Sequence, residues 1–192
     1  NKWTGNVTYM DFSTGMAVPR QHTRLDRSNA TPMLYQQFTR SDSIGKPLFH
    51  FNNYSSYNAF LLDSGFQKVD SISGAFTANI LPMESGTGKY CIVYGTTNPS
   101  TGRTDSMFYS YVKVANGAVS FMPGKKNIRL PLPPGAVLKT SNHPSTAIPS
   151  CDGKNYWLIV YMQNGLFNVF QTTSADTLVL HQSYTVPNFT AT

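Results

Sequence analysis

The chain has 192 residues, a length that favours a single domain with one sizeable hydrophobic core. Only 12% of the residues are charged, whereas Phe, Tyr, Gly and Pro are abundant, which predicts short strands separated by turns and argues against a helical protein. The formal net charge is +6, but apart from Lys125-Lys126 the bases are scattered singly, which argues against a nucleic-acid interface, and no apolar run is long enough to span a membrane.

An N-terminal hairpin and a first four-stranded unit are predicted in the first third of the chain. Residues 2–19 carry a hairpin turn at Ser13-Thr14-Gly15. The first unit covers residues 30–69 and has a turn at 43–46. Its predicted strands are 33–38, 48–51, 59–62 and a short run after Ser64-Gly65.

Two further units have the same plan. The second begins at Phe76 and the third at Ser145, and each contains an Asn-Gly pair, Asn116-Gly117 and Asn164-Gly165. Such pairs favour a type I′ hairpin turn, which needs a positive φ at both central positions. The predicted strands are the runs FTANILPM, YCIVYG, SMFYSYVKV and AVSF in the second unit and STAIPS, YWLIVYM, LFNVFQT and TLVLHQSY in the third.

The second and third units also share a sequence pattern. ILPMESGTGKYCIVYG, residues 80–95, corresponds to AIPSCDGKNYWLIVYM, residues 147–162. The pattern predicts three equivalences: Pro82 with Pro149, Gly88-Lys89 with Gly153-Lys154, and Val93-Tyr94 with Val160-Tyr161. Because the strands Cys91-Ile92-Val93 and Leu158-Ile159-Val160 are apolar at consecutive positions, we expect both faces of their sheets to be covered.

Four-stranded antiparallel meanders that repeat along a chain are typical of β-propeller blades. The predicted fold is therefore all-β and propeller-like, with a β-sandwich as the alternative. Residues 1–192 would form one domain of about three blades and an N-terminal partial blade. Three blades are too few for an ordinary closed ring, so the partial blade closes it with the C-terminal strands, or the chain is part of a larger propeller.

Four ordered stretches resemble the secreted, propeller-like regions near the N-termini of large Bacteroidota surface proteins exported by type IX secretion. The stretches are Trp3 with Gly5-Asn6 and MDFSTG at 10–15, SDSIGKPLFHFN at 41–52, ILPMESGTGKYCIVY at 80–94, and HPSTAIPSCDGKNYWLIVY at 143–161. The resemblance covers most of residues 3–175. It implies an exported adhesion or assembly module with no established catalytic residues, and the start at Asn1 without an initiator Met matches a chain whose signal peptide has been removed.

An Asp-Ser/Thr-apolar triplet occurs four times, more often than this composition predicts. It resembles the O-glycosylation acceptor of Bacteroidota surface proteins, which makes Ser43, Ser71, Ser106 and Thr177 candidate glycosylation sites. A structural alternative is that Asp and Ser occupy turns because their side chains bond the local backbone, although this does not explain the apolar third residue.

Catalytic patterns are weak. A propeller glycosidase needs two carboxyl groups across the scissile bond, and several of the nine carboxylates already have turn contexts. The four histidines have no metal-ligand spacing, His50 reads as a structural or surface histidine, and neither a nucleophile elbow nor a phosphate loop is present. We therefore predict no catalytic residues, no metal site and no cofactor.

The two cysteines, the Pro-rich segment and several aromatic residues are further candidates for structural or binding roles. Cys91 and Cys151 read as free, mostly buried thiols, with a disulfide as the alternative. The Pro-rich segment 129–144 is predicted to be an inter-blade linker, or an extended polyproline arm. Trp3, Tyr54, Tyr57 and Trp157 could stack on sugars where exposed, although Trp157 is predicted to be a core residue.

We expect a non-enzymatic, secreted or cell-surface module that binds protein or glycan in adhesion, or in the assembly of surface or secretion machinery. Nucleic-acid binding and membrane insertion are not expected. Two alternatives stay open, a carbohydrate-active enzyme on a propeller scaffold and a self-assembling filament or coat subunit. Paired inward-facing carboxylates would favour the enzyme, and large apolar contacts between copies would favour the subunit.

Overall fold

The computed structural model describes residues 7–11, 18–22, 36–55, 58–83, 87–97, 104–134, 136–138, 145–151, 155–173 and 176–186. These residues form an all-β structure, as predicted. The strands are Val7–Asp11 (β1), Val18–His22 (β2), Gln36–Ser41 (β3), Pro47–Ser55 (β4), Asn58–Asp63 (β5), Lys68–Ser73 (β6), Ala75–Pro82 (β7), Lys89–Thr97 (β8), Thr104–Ala115 (β9), Ala118–Phe121 (β10), Ile128–Arg129 (β11), Ser145–Pro149 (β12), Tyr156–Tyr161 (β13), Leu166–Thr173 (β14) and Thr177–Thr185 (β15). No helix in these ranges has the length and hydrophobicity that a membrane crossing requires.

Three sheets follow one another along the chain, and each is an antiparallel meander. Strands β3 to β6 form the first sheet, β7 to β10 the middle sheet and β12 to β15 the third sheet, always in chain order. The short β11 adds to the middle sheet by pairing with β9, and β1 pairs with β2 as a separate hairpin. The predicted repeat of four-stranded antiparallel units is therefore confirmed.

The two Asn-Gly pairs form different turns. Asn116 and Gly117 have φ of 53° and 78° and join β9 to β10, as predicted for a two-residue hairpin. Between β13 and β14 the chain instead forms a short 3-10 helix, Gln163–Gly165, in which the Leu166 amide donates to the Gln163 carbonyl. The Met162 amide donates to the Leu166 carbonyl at 2.8 Å across this turn. The type I′ prediction for Asn164-Gly165 was wrong, because the turn is one residue longer than that geometry allows.

The middle sheet is buried on both faces. Its back face, which includes Ile92 and Tyr94, packs on the first sheet in one hydrophobic core. Its forward face, which includes Cys91 and Val93, packs on the third sheet in a second core. Successive residues of β8 from Cys91 to Tyr94 thus enter different cores, which explains why the strand is apolar at each of these four positions.

The strand register corrects the predicted alignment of the two similar units. Pro82 pairs with Tyr90 in the middle sheet, and Pro149 pairs with Tyr156 in the third. Counting along the strands from these pairs gives the equivalences Cys91 with Trp157, Ile92 with Leu158, Val93 with Ile159 and Tyr94 with Val160. The predicted match of Val93 to Val160 was wrong by one residue, and a one-residue shift exchanges the two faces of a strand.

The described part of the Pro-rich segment, residues 129–134 and 136–138, lies along the core between the middle and third sheets. Leu130 and Leu138 are buried in that core. The Leu130 amide donates to the Met107 carbonyl at 2.8 Å, and Leu138 forms a β-bridge with Met162. These described residues therefore pack against both sheets and do not extend away as a polyproline arm, and residues 135 and 139–144 lie outside the described residues.

Ion pairs link the middle sheet to both neighbours. Lys126 contacts both carboxylate oxygens of Asp70 in the first sheet at 3.0 Å. On the other side, Lys89 donates to Asp176 Oδ2 at 2.9 Å, and Lys125 donates to the Asp176 carbonyl at 3.3 Å. Desolvation acts to raise the pKa of Asp70, but the hydrogen bonds from Lys126 and the Ser71 amide outweigh it and hold that pKa below its usual value. The one adjacent pair of bases in the chain thus joins three sheets.

A pair of glycine variants tests the close backbone packing at Gly88, which lies between β7 and β8. Gly88 has a φ of +66°, and an added Cβ would lie 2.4 Å from the Val114 carbonyl oxygen, whereas Gly117 has a φ of +78° and open space around it. Gly117→Ala should lower the free energy of unfolding by about 1–2 kcal/mol, the cost of a left-handed alanine. Gly88→Ala should cost about 1–3 kcal/mol more, because the Cβ also forces the backbone apart. Urea unfolding followed by circular dichroism measures both, and equal losses would contradict the close approach.

Candidate binding face

The forward face of the third sheet is open in the described part of the chain. Its side chains form three rungs that cross the sheet, and none of them is fully buried. The rungs are Ile148–Trp157–Gln171–Val179, Thr146–Ile159–Val169–Gln182 and Tyr161–Phe167–Tyr184. We call these eleven residues the forward face of the third sheet, and "the forward face" without a named sheet always means this surface.

The forward face is uncharged and largely apolar. Val179, Tyr184 and Ile148 expose 50%, 49% and 46% of their surface. The Tyr161 and Phe167 rings meet edge to face, with centroids 5.3 Å apart. Large exposed apolar patches are rare on isolated soluble proteins and mark interaction surfaces.

Trp157 lies on this face and belongs to neither core, so its assignment as a core residue was wrong. Its ring packs edge-on against His181 at a centroid distance of 4.9 Å. The neighbouring residue Leu158 is the one that enters the core. The error arose because a run of consecutive apolar residues does not show which alternate set faces inward. The equivalent positions in the middle sheet, Cys91 and Val93, are covered by the third sheet.

The carboxylates with described side chains have structural roles. Asp42 Oδ1 accepts hydrogen bonds from the amides of residues 44 and 46, and Asp63 Oδ1 does the same for residues 65 and 67. Both close hairpin turns in the way that the sequence predicts for Asp. Asp70 and Asp176 form the ion pairs between sheets. Within the described ranges no three His, Cys, Asp or Glu side chains gather where they could hold a metal ion.

The four predicted glycosylation sites have different surroundings. Ser43 is exposed on the β3–β4 turn, next to Ile44, which is 65% exposed. Ser71, Ser106 and Thr177 lie in strands and are partly buried. The apolar residues that follow them, Ile72, Met107 and Leu178, are buried in the two cores. Core packing therefore accounts for the apolar third position in three of the triplets, which leaves Ser43 as the site with the most open surroundings.

His50 is a buried structural residue, as the sequence favoured. It is 2% exposed, its Nδ1 lies 2.9 Å from Thr39 Oγ1, and its ring stacks on Phe66 at 3.8 Å. Of the aromatic residues proposed to stack on sugars, Tyr54 lies in β4 but its side chain is outside the described set. Trp3 and Tyr57 lie outside the described residues.

No family model and no curated protein matches this chain. A crystal structure of a protein from Lactobacillus plantarum, determined by a structural genomics consortium, resembles it with a TM-score of 0.50 at 14% identity. The match covers 96% of this chain and 52% of the other protein, so the chain spans about half the length of that structure. At this identity the likeness concerns the fold alone. The resemblance to Bacteroidota surface proteins stays a prediction.

Adjacent residues of β13 provide a test of which face is open. Leu158→Ala should lower the free energy of unfolding by about 2–5 kcal/mol, because it leaves a cavity in the core. Trp157→Ala removes a larger side chain but should cost only about 1 kcal/mol, since it lies on the forward face. Chemical denaturation followed by far-ultraviolet circular dichroism compares the two, and a larger loss for Trp157→Ala would contradict the assigned register.

The two thiols provide a second test. Both are free, as expected, but Cys151 is exposed and not buried as expected. Burial raises the pKa of Cys91 far above that of an ordinary thiol, which suppresses its reactive thiolate. A chromogenic disulfide reagent should therefore titrate one thiol per native chain and two after unfolding in denaturant. Cys151→Ser should abolish the native signal, whereas two reactive thiols in the native wild type would place Cys91 elsewhere.

Proposed function

We propose that this chain is a non-enzymatic, exported binding module with a propeller-like arrangement of sheets, and that it acts in adhesion or surface assembly through the forward face. The observation that carries the proposal is that this face is open, uncharged and apolar. Its counterpart in the middle sheet is covered by another sheet. Binding of a partner that removes such a face from water lowers the free energy of the system.

Support for the propeller-like arrangement comes from the repeated stacking. The forward face of the first sheet, with Phe49 and Phe51, covers the back face of the middle sheet, and the forward face of the middle sheet covers the back face of the third. The first strands of the three sheets also approach one another, since β7 contacts both β3 and β12. Propeller blades stack face to face with their first strands innermost. In a sandwich of two sheets there is only one interface between sheets, so the forward face of one sheet would not repeatedly cover the back face of the next.

The chemistry of the forward face favours a protein partner over a glycan. Sugar recognition combines aromatic stacking with several free hydrogen-bonding groups. The three rungs carry polar groups on Thr146, Gln171, Gln182 and the aromatic side chains, but the Tyr184 hydroxyl already donates to Gln182 Oε1 at 3.0 Å. The aliphatic residues Ile148, Ile159, Val169 and Val179 lie among these polar groups and offer no hydrogen bond to a sugar. Aliphatic and aromatic side chains on a flat sheet instead match the apolar surface of another sheet, as they do in both cores of this molecule. The partner we propose is a protein that presents a flat apolar surface.

Two further parts of the proposal rest on sequence. Export to the cell surface follows from the resemblance described above, and glycosylation follows from the Asp-Ser/Thr-apolar triplets. Ser43 is the site we propose for the glycan, because its turn is exposed. The absence of catalysis is proposed because Asp42, Asp63, Asp70 and Asp176 are engaged in turns and ion pairs. These engagements also weaken the glycosidase alternative.

Binding of immobilised chain to isolated cell envelopes of the producing organism, before and after protease treatment of the envelopes, tests the proposal. Wild type should bind untreated envelopes, and Trp157→Lys should lose most of that binding because a charge then faces the apolar partner. Val69→Lys changes an exposed apolar residue of β6, outside the forward face, and should bind like wild type.

Three results would overturn the proposal. Equal binding by wild type and Trp157→Lys would show that the forward face takes no part in the interaction. Binding that survives protease but is competed by purified envelope polysaccharide would identify a glycan partner. Release of reducing sugars from that polysaccharide would identify an enzyme.

A further inference from the structure

The free edge of the third sheet lies beside the forward face but is a separate surface. Strand β15 is the last strand of its sheet and pairs only with β14 among the described strands. It is nine residues long, and residues 177–186 contain no Lys, Arg, Asp, Glu or Pro. All residues from His181 to Val186 are exposed. An edge of this kind presents unpaired backbone groups that another strand can bond.

The other two sheets protect their outermost strands. Strand β6 carries Lys68 and Asp70, and the Lys68 ammonium lies over the Phe60 ring at 4.4 Å. Strand β10 has only four residues and is followed by the turn that contains Lys125 and Lys126. Charged residues and short length are the usual ways in which natural sheets prevent edge-to-edge pairing. Strand β15 has neither.

One protective feature of β15 is a bulge. The register between β14 and β15 shifts at Val169/Phe170, where His181 is the extra residue. Bulges distort an edge locally and hinder pairing there. Beyond the bulge the register is regular from Gln182 to Thr185, and the Val186 amide extends the hydrogen bonding by donating to the Gly165 carbonyl at 3.0 Å. Residues 182–186 thus form a regular, uncharged and exposed edge.

We propose that residues 182–186 pair antiparallel with the same residues of a second copy of this chain. Two-fold pairing centred on Tyr184 places Gln182 opposite Val186 and Ser183 opposite Thr185, so no like charges face each other. A net charge of +6 opposes contact between copies through the charged parts of the surface, so a contact between two copies is best placed at this uncharged segment, which is complementary to itself about a two-fold axis. The two third sheets become one eight-stranded sheet, and the two forward faces become neighbours.

Pairing through this edge and binding of a partner through the forward face do not depend on each other. A monomeric chain could still bind an envelope protein through the forward face, and a dimer could form without that binding.

Sedimentation velocity over a wide concentration range tests the pairing. Wild type should shift with concentration toward twice the 21.2 kDa mass of the chain. Thr185→Lys, which places a charge on the edge but outside the forward face, should lose the dimer and keep its binding to envelopes. Ser120→Lys makes the same kind of change on the exposed, already short edge strand β10 and should leave the dimer intact.

Cross-linking then maps the contact in a Cys151→Ser background, which removes the exposed thiol. Tyr184→Cys should form a covalent dimer under mild oxidation, because the two cysteines meet at the two-fold axis, and Ser120→Cys should not. A monomer at every concentration would overturn the proposal. So would a dimer that persists in Thr185→Lys, or equal cross-linking of the Tyr184→Cys and Ser120→Cys variants.

Discussion

Burial of both faces of the middle sheet is the constraint on which the rest of the structure depends. A sheet covered on both sides must be apolar at successive positions, and Cys91, Ile92, Val93 and Tyr94 are all at most 1% exposed. Fully burying a Val, Ile or Phe side chain contributes about 1.5–3 kcal/mol, so these two interfaces supply the main stabilisation. They also determine which way each neighbouring sheet faces, because the first sheet can cover only the back face and the third sheet only the forward face. The third sheet is therefore left with its own forward face turned away from the rest of the described structure.

Polar groups support this stacking at its margins and inside it. The ion pairs of Lys126 with Asp70 and of Lys89 with Asp176 join neighbouring sheets at partly exposed positions, where such pairs add modestly to stability and more to alignment. Inside, the Tyr94 hydroxyl donates to Asn127 Oδ1 at 2.7 Å and lies 2.9 Å from Ser110 Oγ. Burial raises the pKa of Tyr94 to about 12. The hydroxyl is thus protonated at physiological pH and satisfied within the protein.

The sequence predicted the four strands of each of the three main sheets, their order and several turns, because these depend on local signals such as Asn116-Gly117 and Ser64-Gly65, but it missed the short strand β11. It did not predict which residues of a fully apolar strand face which sheet. Alternation is absent in Tyr156–Tyr161, and the similarity of Val93-Tyr94 to Val160-Tyr161 suggested a register that backbone pairing from Pro82 and Pro149 shows to be shifted by one residue. The run of apolar residues also concealed the forward face, since Trp157 was assigned to the core because it lies in that run. The apolar third residues of the Asp-Ser/Thr triplets were likewise interpreted as part of a glycosylation signal, whereas Ile72, Met107 and Leu178 are buried in the two cores.

The central claim is that the third sheet turns an open face to its surroundings while the equivalent face of the middle sheet is covered. Hydroxyl-radical footprinting of the purified chain, read residue by residue by mass spectrometry, tests this most directly. The account predicts strong labelling of Trp157, Tyr161 and Phe167 and very weak labelling of Tyr94, Tyr111 and Met107, which are about 1% exposed or less. Protection of Trp157 to the same degree as Tyr111 at low protein concentration would contradict it.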